Sequence, residues 1–426
     1  MKYTEFPDLQ IGDIIQRYHR DVFSCTLEEL GIIIANLDSI SSEEHGFFEN
    51  VLGYVFMLFI NSLPDTERER FNCVFKKICR NTNIFAQQML SHDLGKSSTL
   101  ALNLSCDFKT IFPDIDYTCI DPHKSKVYCG YIKAFYYLYL GQNGKGDCNP
   151  RALVDQISSI LELRRIGDIK LLLKDIHSRT HPEVGEYDTC DLTQAELDTF
   201  LQTNPMYRVL YDIAANREID NRLQPDLHIN FPTDVLYILL YNVMKNSFTT
   251  QYRDTEKVRQ GRDPDVISIL NPQNIKLTVE GWQDQEGTYI FVSDNHFAGI
   301  NLNGIKTKLA GISKDDVDSI LGISDSFRSA LKAWKLGDIT KDAEVRAGMD
   351  EVLLTLGFSN SDSSGLGLFV QNMLGIKGIA YGRLFDKGNG GATFLLFLPN
   401  KDNLSITREV IANKVSELVM GGFVNG

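Results

Sequence analysis

Four short stretches of the chain hold residues whose types and spacing could do chemistry. In "MLSHDLGKS" (89–97), His92 precedes Asp93 at the end of an apolar-periodic segment. Such a pair can be a phosphate acceptor beside a proton acceptor, or half of a metal site in a hydrolase. In "YNVMKNS", Asn242 and Asn246 stand four residues apart and therefore share one helix face. Asp294 closes the run "TYIFVSD", and a carboxylate at a strand end can accept a hydrogen bond from an exocyclic amine such as adenine's. Gly299 follows it, and glycine lets backbone approach a ring closely. In "SSGLGLF", Gly365 and Gly367 precede a helical pattern whose free N–H groups suit phosphate oxygens. Each feature alone is also compatible with a purely structural role. Their order along the chain is what carries information.

The elements that must position these residues fall into two halves. Up to about residue 80, "IGDIIQRYHRDVF", "SCTLEELGIIIANLDSI" and "EEHGFFENVLGYVFMLFINSL" place apolar residues at three- and four-residue spacing, which predicts helices. Helical pattern resumes over 82–95 and again over 124–140, until "GQNGKGDCNP" interrupts it. "RALVDQISSILELRRIGDIKLLLKDIHSR" predicts one or two further helices. The stretch 181–232 gives a weak reading, with "HPEVGEYDTCDLTQ" predicted as loop. After Phe231 the pattern changes. "TDVLYILLYNVMKNSFTT" (233–250) predicts a strong helix, while "NIKLTVEGW" and "TYIFVSD" predict a hairpin joined through "QDQEG". A glycine turn, a helix and the closing strand "GGATFLLFLP" complete the order. The expected fold class is α+β, an all-helical N-terminal region followed by an α/β sandwich with a mixed sheet. Expected boundaries are a helical region over 1–80, a second helical region with an insertion over 81–230, the sandwich over 231–400 and a helical tail over 401–426.

Composition narrows the function classes. The chain has 426 residues, 43% hydrophobic and 23% charged, with a formal net charge of −13. Without a basic run, a nucleic-acid partner is not expected. The longest apolar run, "VLGYVFMLFI" (51–60), is half of what a membrane span needs, and the N-terminus lacks the apolar core of a signal peptide. The expectation is a cytoplasmic protein with no membrane span. Eight cysteines, none in a C-x-x-C pair, are expected to be reduced, packed thiols.

The order of motifs past residue 230 resembles the GHKL ATP-binding domain of sensor histidine kinases. "LYILLYNVMKNSFTT" is similar to the N box, whose second asparagine ligates Mg²⁺; the resemblance assigns that role to Asn246, with Asn242 contributing. "VSDNHFAGI" is similar to the G1 box, which makes Asp294 the adenine reader and Gly299 its turn glycine. "LLTLGFSNSDSSGLGL" resembles the F and G2 boxes, placing Phe358 in an ATP lid and Gly365 and Gly367 at the phosphates. "GNGGATFLLFLP" resembles the last glycine motif, with Gly391 and Thr393 lining the pocket. The sequence departs from the family pattern at His296 and Ser363, where glycines are usual, and in the length of the lid region between Ile300 and Val352.

The same resemblance reaches back to the histidine. "NIFAQQMLSHDLGKSSTLA" is similar to the H box, so His92 is the expected phosphoacceptor and Asp93 its helper, with ATP and Mg²⁺ as cofactors. It implies phosphotransfer to a response-regulator receiver domain. If the helices around 82–140 form the family's two-helix hairpin, it also implies a homodimer built on a four-helix bundle. Ser97 stands where the family has proline, and Lys96 where it has threonine or asparagine. A rival reading remains open: "SHDLGKS" also resembles the HD-type metal-dependent phosphohydrolases, with His45, His92 and Asp93 as ligands and Asp155 among candidates for a further one. Two more readings keep the ATP domain. One is a serine kinase resembling the mitochondrial-type protein kinases, in which Asn242 occupies the place of a glutamate base. The other is an ATP-gated interaction protein. His177 and His181 have the spacing of a metal pair, but Pro182 argues for a loop there.

Overall fold

The computed structural model describes residues 22–40, 45–66, 68, 120–142, 144, 146–182, 192–259, 275–295, 317, 325–347, 370, 373–375, 377–386 and 391–400. The expected helix over 82–95, the glycine turn at 363–367 and the tail from 401 lie outside the described residues. Helix starts follow capping chemistry. Thr26 and Glu29 form a reciprocal capping box at the head of α1 (Leu27–Ala35). The apolar run at 51–60 sits inside α2 (His45–Ser62), and α3 spans Ile120–Leu140. Asn149 caps α4 through the Ala152 N–H, with Pro150 at the first helical position. The 31 residues of α4 (Pro150–Thr180) form a single helix rather than two, and it runs on through His177.

The weakly read stretch contains three elements. These are α5 (Gln194–Thr203), opened by a Thr193–Glu196 capping box, α6 (Pro205–Ala215) and β1 (Arg217–Asn221). The sheet thus takes its first strand from upstream of 231. Next come α7 (Thr233–Arg259), β2 (Ile275–Gln283) and β3 (Gly287–Asp294). Their hairpin is the expected one, and the Asp284 carboxylate accepts from the Glu286 and Gly287 N–H groups to close it. Two helices, α8 (Asp325–Lys335) and α9 (Asp342–Ala347), precede β4 (Tyr381–Asp386) and β5 (Ala392–Pro399).

The five strands form one mixed sheet in the order β1-β2-β3-β5-β4. Only β1–β2 is parallel, and α7 supplies the crossover that a parallel pair requires. Alternation divides the side chains between two faces. Ile290, Val292, Phe394 and Leu396 join α7 in the main core, while Tyr289, Phe291, Leu395 and Phe397 form a second cluster on the opposite face with Trp282 and Tyr381.

The other side of α7 is covered by α3, and α3 is in turn covered by α2. Tyr131, Ile132, Ala134, Phe135 and Leu138 of α3 are all fully buried within this chain. The apolar surface of α3 is therefore spent inside the protomer, where the expected four-helix dimer seam would need it free. Lys133 joins the layers: its ammonium pairs with Asp234 in the first turn of α7 and lies 3.2 Å from Asp38. Burial draws the Lys133 pKa down, and Asp234 and Asp38 more than reverse it, so the net direction is up.

The α3–α7 crossing is close because α3 offers a glycine. A Cβ built on Gly130 would stand 2.6 Å from the Asp234 carbonyl oxygen and 3.0 Å from the Ile238 Cβ. Gly130→Val should force the helices apart and destabilise the protein by about 1–3 kcal/mol. Urea unfolding measures this, and an unchanged midpoint would show that the crossing is not tight.

Candidate functional site

The sequence-predicted residues that the structure brings together lie at one end of the sheet. Asp294 is the last residue of β3, level with Leu277 of β2, and is 8% exposed. Its parity matches Ile290 and Val292, so its carboxylate issues from the face that α7 covers. The Ala392 N–H, at the start of β5, donates to its Oδ1 at 2.9 Å. Gly391 makes this approach possible. It has φ +119°, and a Cβ there would lie 2.4 Å from the Asp294 carbonyl oxygen. A carboxylate fixed at one oxygen by a backbone donor, with glycine against its own backbone, is a preorganised acceptor.

Thr393 is placed differently from the expectation. It lies opposite Ser293, their hydroxyls are 2.9 Å apart, and both belong to the sheet face away from Asp294. The residue of β5 that meets the carboxylate is Ala392, through its backbone, and Thr393 instead zips β3 to β5 from behind. Ser293 went unnoticed in the sequence, because only the strand register reveals its partner.

Asn242 and Asn246 both lie on α7, as the four-residue spacing requires. Asn242 is 3% exposed, and its amide donates to the Ile238 carbonyl at 2.8 Å and stands 3.5 Å from the Tyr131 hydroxyl of α3. It is thus engaged inside the helix layers. Asn246, one turn later, is half-buried. Thr249, three residues past Asn246, returns its hydroxyl to the Lys245 carbonyl.

His92, Asp93, Gly299, Phe358, Gly365 and Gly367 lie outside the described residues, as does His296. His45 opens α2, and Asp155 accepts from the Asn221 side chain at 2.7 Å, an α4–β1 tie. His177 and His181 are not in a loop: the first lies in α4 and the second caps it, with their rings stacked at 4.9 Å. His181 reaches Glu196 at 3.4 Å. Among the described residues, no group of three or more His, Cys, Asp or Glu could hold a metal ion, and no helix is long and apolar enough to cross a membrane. Cys25, Cys129 and Cys148 are buried thiols outside any disulfide, and burial pushes the Cys148 thiol up to about 11.

No family model and no curated protein matches the chain. If Gly391 holds Asp294 in place, Gly391→Ala should cost about 2 kcal/mol in urea unfolding. Gly337→Ala, also at positive φ but with nothing near its Cβ, is the control for backbone strain alone. Equal losses would show that the contact with Asp294 contributes nothing.

Proposed function

We propose that the protein binds ATP with Mg²⁺ at the Asp294 end of the sheet and transfers the γ-phosphoryl group to protein, in the manner of the GHKL histidine kinases that its motifs resemble. The observation that carries this reading is the buried Asp294 carboxylate, held at one oxygen by a backbone N–H and backed by a glycine cradle that a side chain would fill. A buried, oriented carboxyl group suits an exocyclic amine, and it gives a reason for a polar side chain on the sheet face that a core helix covers. Asn246 would supply the magnesium oxygen, and Gly299, Phe358, Gly365, Gly367 and Gly391 would enclose the nucleotide.

ATP with Mg²⁺ supplies an activated phosphoryl group whose charge the metal offsets. The chain's own residues do the rest. Asp294 would fix the base and the carboxamide of Asn246 would hold the metal; a ring nitrogen of neutral His92 would take the γ-phosphoryl group as its bond to ADP breaks and ADP leaves, while Asp93 would take the proton from the other nitrogen. An aspartate on a receiver-type partner would then receive the group.

One observation favours a second reading. Helix α3 gives its apolar surface to α2 and α7 of its own chain, which fits a self-contained helical half packed on an ATP domain. That layout resembles the mitochondrial-type protein kinases, whose product is phosphoserine.

Incubation with γ-labelled ATP and Mg²⁺ decides between them. Acid-labile label that disappears in His92→Gln supports the histidine kinase, whereas acid-stable label that persists in His92→Gln supports the second reading. Asp294→Asn should weaken nucleotide binding by about 1.5–3 kcal/mol, roughly tenfold or more in Kd. Hydrolysis of phosphate esters with bound metal and no labelling would instead identify the HD-type hydrolase, and no detectable nucleotide at millimolar concentration would remove the kinase reading altogether.

A further inference from the structure

A buried charge that neither the motifs nor the proposed reaction accounts for lies near Asp294. Arg217 opens β1, and its side chain is 0% exposed. It shares parity with Ile219, which packs into the main core, so it projects from the same sheet face as Asp294. Ile219 is level with Leu277, and Leu277 with Asp294. Arg217 is thus two strands across and one residue pair further out, about 12 Å away by strand geometry.

Three helices meet on this guanidinium. The rings of Phe248 and Tyr252, both on α7, lie 5.2 and 4.7 Å from it. Asp168 of α4 approaches Nη1 at 2.8 Å, as a charge contact rather than an aligned hydrogen bond. Nε reaches the Ile213 carbonyl of α6 at 3.4 Å, and Nη2 has no hydrogen-bond partner among the described residues. The Tyr252 hydroxyl closes the ring of contacts on the Asp168 carbonyl at 3.3 Å. Burial draws the Arg217 pKa down, against Asp168, which holds it up.

Stability alone does not explain such a group. A buried ion pair commonly stabilises no more than apolar side chains of the same volume would, and an unpartnered Nη2 adds a desolvation cost. What the pair does supply is a fixed orientation. A planar cation between two rings, tied to a carboxylate on another helix, sets both the rotation and the height of α7 over the sheet. Phe248 and Tyr252 follow Asn246 by two and six residues, so the segment held is the one that carries the expected metal ligand.

We propose that Arg217 is a positioning residue. By clamping the second half of α7 to α4, it holds Asn246 in register with Asp294 and links the helical layer to the nucleotide site. The clamp rests on the nucleotide reading above for its purpose, although its mechanical part can be tested without nucleotide.

The test replaces the ion pair with apolar side chains, Arg217→Met with Asp168→Leu, and measures fluorescent ADP binding with Mg²⁺ and with EDTA. The expected result is thermal stability near that of the parent and Mg²⁺-dependent affinity lower by about tenfold, in the range of ordinary coupling between sites. Binding in EDTA, which reads the Asp294 contact, should be unchanged. Arg217→Lys should fail to rescue, because an ammonium cannot stack between rings. Hydrogen exchange of amides 244–252, followed without nucleotide, should accelerate in the double variant. Should that variant not fold, Tyr252→Leu, which removes one ring at a half-buried position, should shift both readouts in the same direction. Unaltered exchange together with an unaltered Mg²⁺-dependent gain would overturn the proposal. If the parent binds no nucleotide, the kinase reading falls, and the exchange result alone upholds or overturns the clamp.

Discussion

Helix α7 has to be covered on all sides, and the rest of the molecule is arranged to cover it. Val235 through Met244 are buried without a break, so no strip of that stretch is available to water. A helix apolar all round is stable only in the middle of a structure. Helix α3 closes one side, α4 and α6 a second, and the sheet a third. The main core consequently runs from Val22 to Leu398 and joins helical and sheet regions into one apolar cluster. The burial of α7 also makes any movement of the helical layer a movement of the segment that carries Asn242 and Asn246.

Within so apolar a setting, each polar side chain needs a partner, and the partners are informative. Asp234 takes Lys133, which ties the first turn of α7 to α3 by charge, while Arg217 of β1 takes Asp168 of α4 and lies against the Phe248 and Tyr252 rings of α7. Asn242 turns its amide back to Ile238 and toward Tyr131. These contacts fix rotation more than they add stability, because desolvating each charge offsets most of the attraction it gains. Apolar packing alone would let α7 slide or turn by a fraction of a residue. The ionic contacts specify a single setting.

Elements with strong periodicity were legible in the sequence, and those defined by their partners were not. The α7 pattern, the hairpin at 284–287 and the closing strand all appear nearly as expected, because burial of one or both faces writes itself into apolar spacing. Strand β1 was missed because "REIDN" is short and polar and lies on the sheet edge, where only one neighbour constrains it. The end of α4 was misread because Pro182 follows the helix by two residues, which is where proline is tolerated. For the site, Asp294 and Gly391 could be found by type and order, whereas the face of Thr393 depends on register. Arg217 gave no signal, since an arginine opening an edge strand looks like ordinary surface until three helices converge on it.

The second aromatic cluster bears on how well the site is held. On the far face of the sheet, Trp282 stacks on Tyr289 and Phe291 at 5.4 and 5.0 Å, and Tyr289 meets Phe397 at 4.7 Å. Strands β3 and β5 are therefore packed on both faces along most of their length, and the Ser293–Thr393 hydroxyl pair extends that packing to the residue before Asp294. A carboxylate at the end of such a strand can shift only if the sheet shifts, and its position costs no ordering when a ligand arrives. Asn246 lies instead on a helix, where it is half-buried. It is set by a helix whose rotation depends on Lys133 at one end and Arg217 at the other. On the proposed nucleotide reading, the base-reading group would be rigid by packing and the metal-orienting group adjustable through helix contacts, so a signal arriving through the helical layer would act on the metal and leave recognition of the base intact.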